Sequence, residues 1–481
     1  MKTEPMTLLR TPTSHLLRLL RLLALSVAAL ASTVGHAQAA TPAAVKALAA
    51  QQVQPVLDTL MELTAIESGS RDLEGLARLA EVVAARLRGA GMSVQLLPGK
   101  APDFDPRFKG EGLGSMVYAT RSGTGQRKVL LIAHMDTVYS RGMGAGQAFR
   151  IERDRAYGLG ISDDKGGVAV VLHTVAMLEQ MGFRDYARLG VLINGDEEIG
   201  SPGSAAFITQ LGSEYDAVLS FEGGGVQQDV LRLATSSLAS VEMRVTGKAS
   251  HAGANPEGGR NALYEMAHQI LKSRQLDDPI KGLRLNWTMA QAGEVRNAIP
   301  AQALASADVR ALSNDDLDVM ERALRESIKD KLIAGTSIEL AFHRGRPAWA
   351  GNASARAMAR HAKAVFAEIG QTLEILERAA GGGTDAAFAG VRPKGGVLEG
   401  FGLRGYGAHS SSAEYIFIPS IAPRLYLATR MVMDLGSGAL AWKGAARQKR
   451  LDGSGEGAEV RTLAPAQVNG DRPWPTPKPP R

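Results

Sequence analysis

The chain has 481 residues, enough for two or three domains with substantial cores. Its 45% hydrophobic and 22% charged content excludes wholesale disorder, and the absence of cysteine removes disulfides, thiolate zinc sites, iron–sulfur clusters and a cysteine nucleophile. The net charge of +6 would suit a nucleic-acid or acidic-membrane partner only if it lay on the folded body.

Residues 1–39 read as a targeting segment. Lys2, Arg10, Arg18 and Arg21 precede an apolar run at 22–31, and small residues follow, ending in Ala37-Gln38-Ala39, an A-x-A cleavage pattern. The run is too short for a membrane span of ~20 residues. The expectation is an exported protein, periplasmic or secreted, that starts near Ala40 and keeps no stable membrane insertion. Residues 441–481 are rich in Gly, Pro, Lys and Arg, with little periodic apolar content, and read as a disordered basic tail.

Between these ends, helical and strand-like stretches alternate, the pattern of an α/β fold with a mainly parallel sheet. Helical spacing covers 53–65 and 73–89, and apolar strand-like runs cover 129–133, 189–193 and 217–221. A helix at 167–181 supplies the crossover between the first two of those runs. The pattern shifts near Leu238. Strands at 238–245, 283–290, 303–309 and 337–343 and helices at 259–275 and 315–333 follow in the order strand–helix–strand–strand–helix–strand, a ferredoxin-like α+β unit. A helix at 353–369 then returns to the larger pattern. The expected organisation is a leader at 1–39, a main domain at 40–237 and 350–440, an inserted domain at 238–349, and the tail at 441–481.

Polar clusters stand at the ends of the predicted strands, where an open α/β sheet places its ligand crevice. They are His134-Met135-Asp136-Thr137-Val138, Ser162-Asp163-Asp164-Lys165-Gly166-Gly167, Asp196-Glu197-Glu198 and Glu222-Gly223-Gly224, with His409 later in the chain. Any one cluster alone is more ordinarily a helix cap or a solvated turn. Together, histidine and carboxylates without sulfur suit zinc or another divalent ion. Adjacent glutamates can divide their labour, one binding metal while its neighbour faces a water.

At these residues the chain resembles the co-catalytic zinc exopeptidases, the family of glutamate carboxypeptidase, succinyl-diaminopimelate desuccinylase, acetylornithine deacetylase and aminoacylase. The motifs are H-x-D-T-V, G-x-G-x-x-D-x-K-G-G, D-E-E-x-G-S and the late histidine, over about residues 51–440. Their spacing agrees best with the glutamate carboxypeptidase branch. The resemblance implies two zinc ions per subunit. His134 matches a ligand of one ion, Asp163 the bridging carboxylate and Glu198 a ligand at the partner site. Glu222 matches a ligand of the His134 ion, and His409 a ligand of the other. Glu197 matches the general base, and Asp136 the residue that orients His134. The bridging aspartate of the family precedes a cis peptide, which would fall at Asp163–Asp164.

In the inserted domain, His251 matches a histidine that reaches the active site of a second subunit, which implies a homodimer. Asn297 and Arg310 match residues that hold the substrate, and Gly382, Gly383 and Thr384 match a loop lining its cleft. The implied activity is release of a C-terminal amino acid, glutamate foremost, from peptides or folate-like conjugates. An N-acyl amino acid deacylase or dipeptidase with the same metal pair is the alternative. A non-catalytic binding module would have lost a ligand or the base, and no G-x-S-x-G supports a serine hydrolase. Three glycines after Glu222 and the basic tail depart from the family pattern. His173, His268, His343 and His361 have no motif around them.

The charge excess belongs to the ends. Residues 1–39 hold four Lys+Arg against one acidic residue, and residues 441–481 eight against four. That leaves 43 basic against 44 acidic residues in between, so no nucleic-acid partner is expected.

Overall fold

The computed structural model describes residues 41–100, 108 and 112–440. The expected leader and tail lie outside the described residues.

Three helices open the described chain: α1 (Pro42–Gln51), α2 (Val53–Thr64) and α3 (Leu73–Gly89), the last capped by Asp72, whose side chain accepts from Gly75 N. Then come β1 (Ser93–Gly99), β2 (Leu113–Ser122), β3 (Lys128–His134), β4 (Arg150–Glu152) and β5 (Arg155–Tyr157). Helix α4 (Lys165–Gln180), β6 (Arg188–Asn194), α5 (Ala205–Glu214), β7 (Ala217–Ser220), β8 (Asp229–Arg232) and β9 (Ala234–Thr235) complete the first part. Strand β10 (Ser237–Thr246), α6 (Ala262–Ser273), β11 (Arg284–Ala292), β12 (Gln302–Ala311), α7 (Asn314–Ser327) and β13 (Ser337–Arg344) follow. The chain ends its described part with β14 (Trp349–Ala350), α8 (Ala353–Ala367), β15 (Leu373–Leu376), α9 (Ala386–Ala389), β16 (Gly396–Glu399), β17 (Gly405–Tyr406), β18 (Tyr415–Phe417) and α10 (Ile421–Gly436).

The main sheet has eight strands in the order β1-β2-β6-β3-β7-β16-β8-β15. Its centre is parallel, with β6, β3, β7 and β16 side by side, while β1 and β2 form an antiparallel edge. Both faces are covered. Along β3, Val129, Leu131 and Ala133 pack into one core with helices α1–α4, α8 and α10, whereas Leu130 and Ile132 join a second core with α5 and α9. That two-sided burial explains why the central strands read as continuous apolar runs rather than alternating ones.

Strands β11-β12-β10-β13 form a separate antiparallel sheet. Here β10 alternates buried and open residues, and its buried side chains pack under α6 and α7. Helix α7 is shorter than the spacing at 315–333 predicts. It stops at Ser327, because the buried Glu265 carboxylate on α6 accepts from Leu332 N (3.3 Å) and Ile333 N (2.7 Å) and folds that segment across. A further small sheet, β17-β18-β5-β4, is not foreseen from the sequence. Among the described residues, no helix is long and apolar enough to cross a membrane.

Candidate active site

Strand register assembles the site. His134, the last residue of β3, pairs with Asn194 at the end of β6, so Glu197 and Glu198 begin just beyond the same edge. On the other flank Ile132 pairs with Ser220, the end of β7, and Glu222 lies two residues further on. Asp163 and Asp164 stand at the start of α4, joined by a cis peptide. Asp164 caps that helix through Gly167 N (3.2 Å) and also accepts from His134 N (3.3 Å), which fastens the loop to the strand end. A Cβ on Gly167 would come within 2.1 Å of the Phe221 carbonyl oxygen, which is why this motif position carries no side chain.

The side chains form two groups of three that share Asp163: His134, Asp163 and Glu222, and Asp163, Glu198 and His409. Within each group the potential ligand atoms all lie within 4.8 Å of one another. His134 Nε2 lies 3.1 Å from Asp163 Oδ1 and 3.4 Å from Glu222 Oε1. His409 Nε2 lies 3.3 Å from the other Asp163 oxygen and 3.2 Å from Glu198 Oε2. Bonds to Asp163 and Glu198 push the His409 imidazole up to about 10. For His134, burial favours the neutral ring, but Glu222, Asp136 and Asp163 outweigh it and raise its pKa well above the ordinary value. Burial raises the Glu198 carboxyl, and its Oε1 is buried with no hydrogen-bond partner. Crowded carboxylates, two imidazoles and an orphaned carboxylate oxygen fit divalent cations bound by nitrogen and oxygen.

Glu197 is 5% exposed and lies beside this centre. Its Oε1 is 2.7 Å from the guanidinium of buried Arg346, which also donates to the Glu197 carbonyl. Burial drives the Glu197 carboxyl upward, and Arg346 opposes that shift. Asp136 does more than face His134 Nδ1 at 3.4 Å. Its two oxygens accept from Glu197 N and Glu198 N, each at 3.0 Å, and from Ser70 Oγ at 2.7 Å. One buried carboxylate thus fixes a histidine and the backbone of both glutamates.

Sequence reasoning missed Arg346, Ser70, Asp385 and Glu414. Arg346 sits in Arg344-Gly345-Arg346-Pro347, and Ser70 precedes α3, with no pattern to single out either. Asp385 accepts from Asn194 Nδ2 (2.8 Å) and from Ser201 Oγ, bracing the loop after Glu198. Only Glu414, five residues after His409, had a usable signal in its proximity to a motif histidine.

The predicted substrate residues are placed unevenly. Arg310 on β12 is half-buried, bonds Asp308 at 2.9 Å and donates to the Gly381 carbonyl, so its fork meets the glycine-rich loop. Gly382 O accepts from Ser236 N (2.9 Å), and Thr384 Oγ1 donates to buried Glu399 (3.0 Å). A cleft of about 250 Å³ is lined by Asp163, Glu222, Arg232, Gly382, Thr384 and Glu399. A larger one of about 660 Å³ reaches Glu198 from the side of Ser70, Thr137, Tyr139 and Arg141. Gly383 follows Gly382 on the same loop, where a Cβ would meet Leu238 Cδ1 at 2.3 Å. His251 and Asn297 are exposed and lie on two adjacent loop segments joined by an isolated bridge between His251 and Ala298, where Ala252 N donates to Asn297 O at 2.9 Å. Among the described residues no hydrogen bond or ion pair joins either to the carboxylate cluster.

Residues 130–434 match peptidase family M20/M25/M40. Carboxypeptidase G2 of Pseudomonas sp. (strain RS-16) is 44% identical over 393 residues, covering 81% of this chain and 92% of that one. The chain belongs to this peptidase family. An acetylornithine deacetylase of Aliivibrio salmonicida is 28% identical over 233 residues, 45% of this peptidase and 60% of that protein. The M20 family metallo-carboxypeptidase Sso-CP2 of Sulfolobus solfataricus shares the fold, with a TM-score of 0.62 at 19% identity over 79% of this chain and 98% of that one. The peptidase is accordingly a metal-dependent hydrolase, and the expectation of a zinc-exopeptidase-like α/β fold holds.

Proposed function

We propose that this peptidase is a zinc-dependent carboxypeptidase releasing a C-terminal amino acid, glutamate foremost, from peptides or folate-like conjugates. The observation that carries the proposal is Asp163 shared between two donor groups with Glu197 alongside, in a chain 44% identical to carboxypeptidase G2. His134, Asp163 and Glu222 would hold one zinc ion, and Asp163, Glu198 and His409 a second. Such ions supply Lewis acidity that acidifies water and polarises an amide carbonyl. Glu197 would take the proton of the attacking water and return it to the leaving amine. Arg346 and Asp136 hold that carboxylate and its backbone in place. Arg310, whose fork is bonded to Asp308 and to the Gly381 carbonyl beside the loop of Gly382, Gly383 and Thr384, would exchange those partners for the carboxylate of the leaving amino acid.

His251 and Asn297, exposed and apart from the cluster in one subunit, fit a role across a homodimer interface. The leader pattern at 1–39 supports export to the periplasm or beyond. The deciding experiment compares hydrolysis of pteroyl-glutamate, N-acetyl amino acids and dipeptides by zinc-loaded protein. Glutamate release from the conjugate is expected to dominate. A preference for N-acetyl amino acids would favour the deacylase alternative, and no glutamate release from any conjugate would overturn the proposal.

A further inference from the structure

The weakest-supported member of the donor set is His409. It lies at the tip of the β17–β18 hairpin, whose arms are joined by two ladder pairs, Gly405–Ile416 and Tyr406–Tyr415, and by Phe417 N donating to Arg404 O at 2.8 Å. Its backbone has φ 63°, the left-handed region, and Ser410 N closes the turn onto Gly407 O at 2.8 Å. Its side chain is 58% exposed. Asp163 likewise rests on a loop rather than on a strand or in a helix interior. Two ligands on such supports need something to fix them relative to each other, since a metal site tolerates little displacement.

We propose that Glu414 is the positioning residue that sets His409 and Asp163 as one unit. Glu414 stands at the base of the His409 hairpin, 3% exposed. One carboxylate oxygen accepts from Ser162 N (2.8 Å) and Asp163 N (3.1 Å). The other accepts from Gly160 N (2.9 Å) and Tyr139 Oη (2.5 Å). The hairpin that carries one ligand is thereby fastened to the backbone of the other, and Tyr139 fastens both to the loop after His134 and Asp136.

The chemistry of this joint is selective. Four donors converge on one side chain, and a carboxylate has the acceptor sites for all of them. A glutamine of the same shape does not. Whichever way its amide is turned, the NH₂ group meets at least one backbone N–H, and that donor is left buried without a partner. Glu414→Gln therefore loosens the joint at constant volume. Asp163 also serves the His134 group, but that group has Glu222 and the strand-borne His134 to hold it. The loss should fall mainly on the group containing His409.

This inference rests on the ligand set proposed above, and the test separates the two. Metal-free wild type, His409→Ala, Glu414→Gln and Tyr139→Phe are titrated with Zn²⁺ by calorimetry, and with Co²⁺ by visible absorption. Wild type is expected to bind two equivalents, and His409→Ala to lose one of them. Glu414→Gln should keep the first and bind the second 10- to 100-fold more weakly, as for outer partners of metal ligands. Tyr139→Phe, which removes one donor of the four, should weaken the second equivalent several-fold. Retention of the first equivalent reports that each variant is folded. If Glu414→Gln does not fold, Tyr139→Phe decides. If His409→Ala binds metal as wild type does, the ligand set is wrong. If His409→Ala loses an equivalent while the folded Glu414 and Tyr139 variants stay within twofold of wild type, the ligand set stands and the positioning role falls.

Discussion

Glu197→Gln separates chemistry from architecture at the centre of this site. A positioned general base contributes about 10²–10⁴-fold, or roughly 3–5 kcal/mol of barrier. The substitution keeps the side-chain volume, and its amide oxygen still faces the Arg346 guanidinium, now 2.7 Å from Glu197 Oε1. The backbone N–H bonds to Asp136 do not involve the side chain. Burial already opposes the Glu197 charge, so replacing it by a neutral amide relieves desolvation while weakening the ion pair. These effects oppose each other, so the loss should fall short of the ~3–5 kcal/mol that breaking a buried pair at one partner costs. Removing the other partner is different. Arg346→Met strands a buried carboxylate and should cost about 3 kcal/mol or more.

The assay measures kcat on a glutamate conjugate, zinc content and urea unfolding for both variants. Glu197→Gln should lose at least 100-fold in kcat with full metal and a midpoint that falls less than that of Arg346→Met. Activity within tenfold of wild type in metal-loaded protein would refute the base assignment. Parallel loss of zinc and activity would show that Glu197 acts through the metal site instead.

Chelation should abolish activity and added Zn²⁺ should restore it; full activity in protein shown to be metal-free would exclude the proposed chemistry. His251→Ala should be inactive yet folded, and mixing it with Glu197→Gln should regain some activity if the histidine serves a neighbouring subunit; no regain under exchange of subunits would place its role within one chain. His173 sits between Thr59 Oγ1 and Gln52 Oε1, and burial, aided by Arg86, holds it down to about 4 against an ordinary 6.5. The unfolded chain therefore takes up a proton that the folded one refuses, so His173 should remove about 2 kcal/mol of stability between pH 7 and pH 5. His173→Gln should flatten that part of the urea-midpoint profile. Arg424, fully buried, bonds Asp229 (2.8 Å) and the Gly400 (2.7 Å) and Gly224 carbonyls. Arg424→Met should cost about 3–5 kcal/mol, read from the same unfolding curves.

The legible parts of the sequence were those governed by local pattern. Helix α3 spans 73–89 as its spacing predicts, because Asp72 caps one end and the apolar stripe of Leu76, Leu79, Val83 and Leu87 is buried throughout. Strands β3 and β6 were legible as apolar runs because both their faces are covered. His134, Asp163, Glu198 and Glu222 were legible because each ends or follows such a strand or stands at a helix start within a short motif, whereas His409 was legible only through the family resemblance. Strands β4, β5, β17 and β18 were not, being two or three residues long and set by pairing across distant sequence. Arg346 escaped because its partner Glu197 lies more than a hundred residues away, and Glu414, though near a motif histidine, was missed because its partner Tyr139 is more distant still. Long-range polar contacts leave no periodicity.

The place of β16 in the main sheet has a consequence for biosynthesis. It lies between β7 and β8, pairing along β7 from Gly396–Ala217 to Glu399–Ser220. The ribosome makes β7 and β8 first, then the whole 237–344 excursion, and residues 396–399 only afterwards. Throughout that interval the nascent chain carries an apolar strand with an open edge, the kind of surface that recruits chaperones or pairs with a neighbouring chain. The sheet closes late, and with it the frame on which Glu222 is mounted. A ribosome stalled within the excursion would release a fragment with the motifs of His134, Asp163 and Glu198 but neither a finished sheet nor His409. On the proposed ligand set, catalytic competence waits until residues 396–409 have been made.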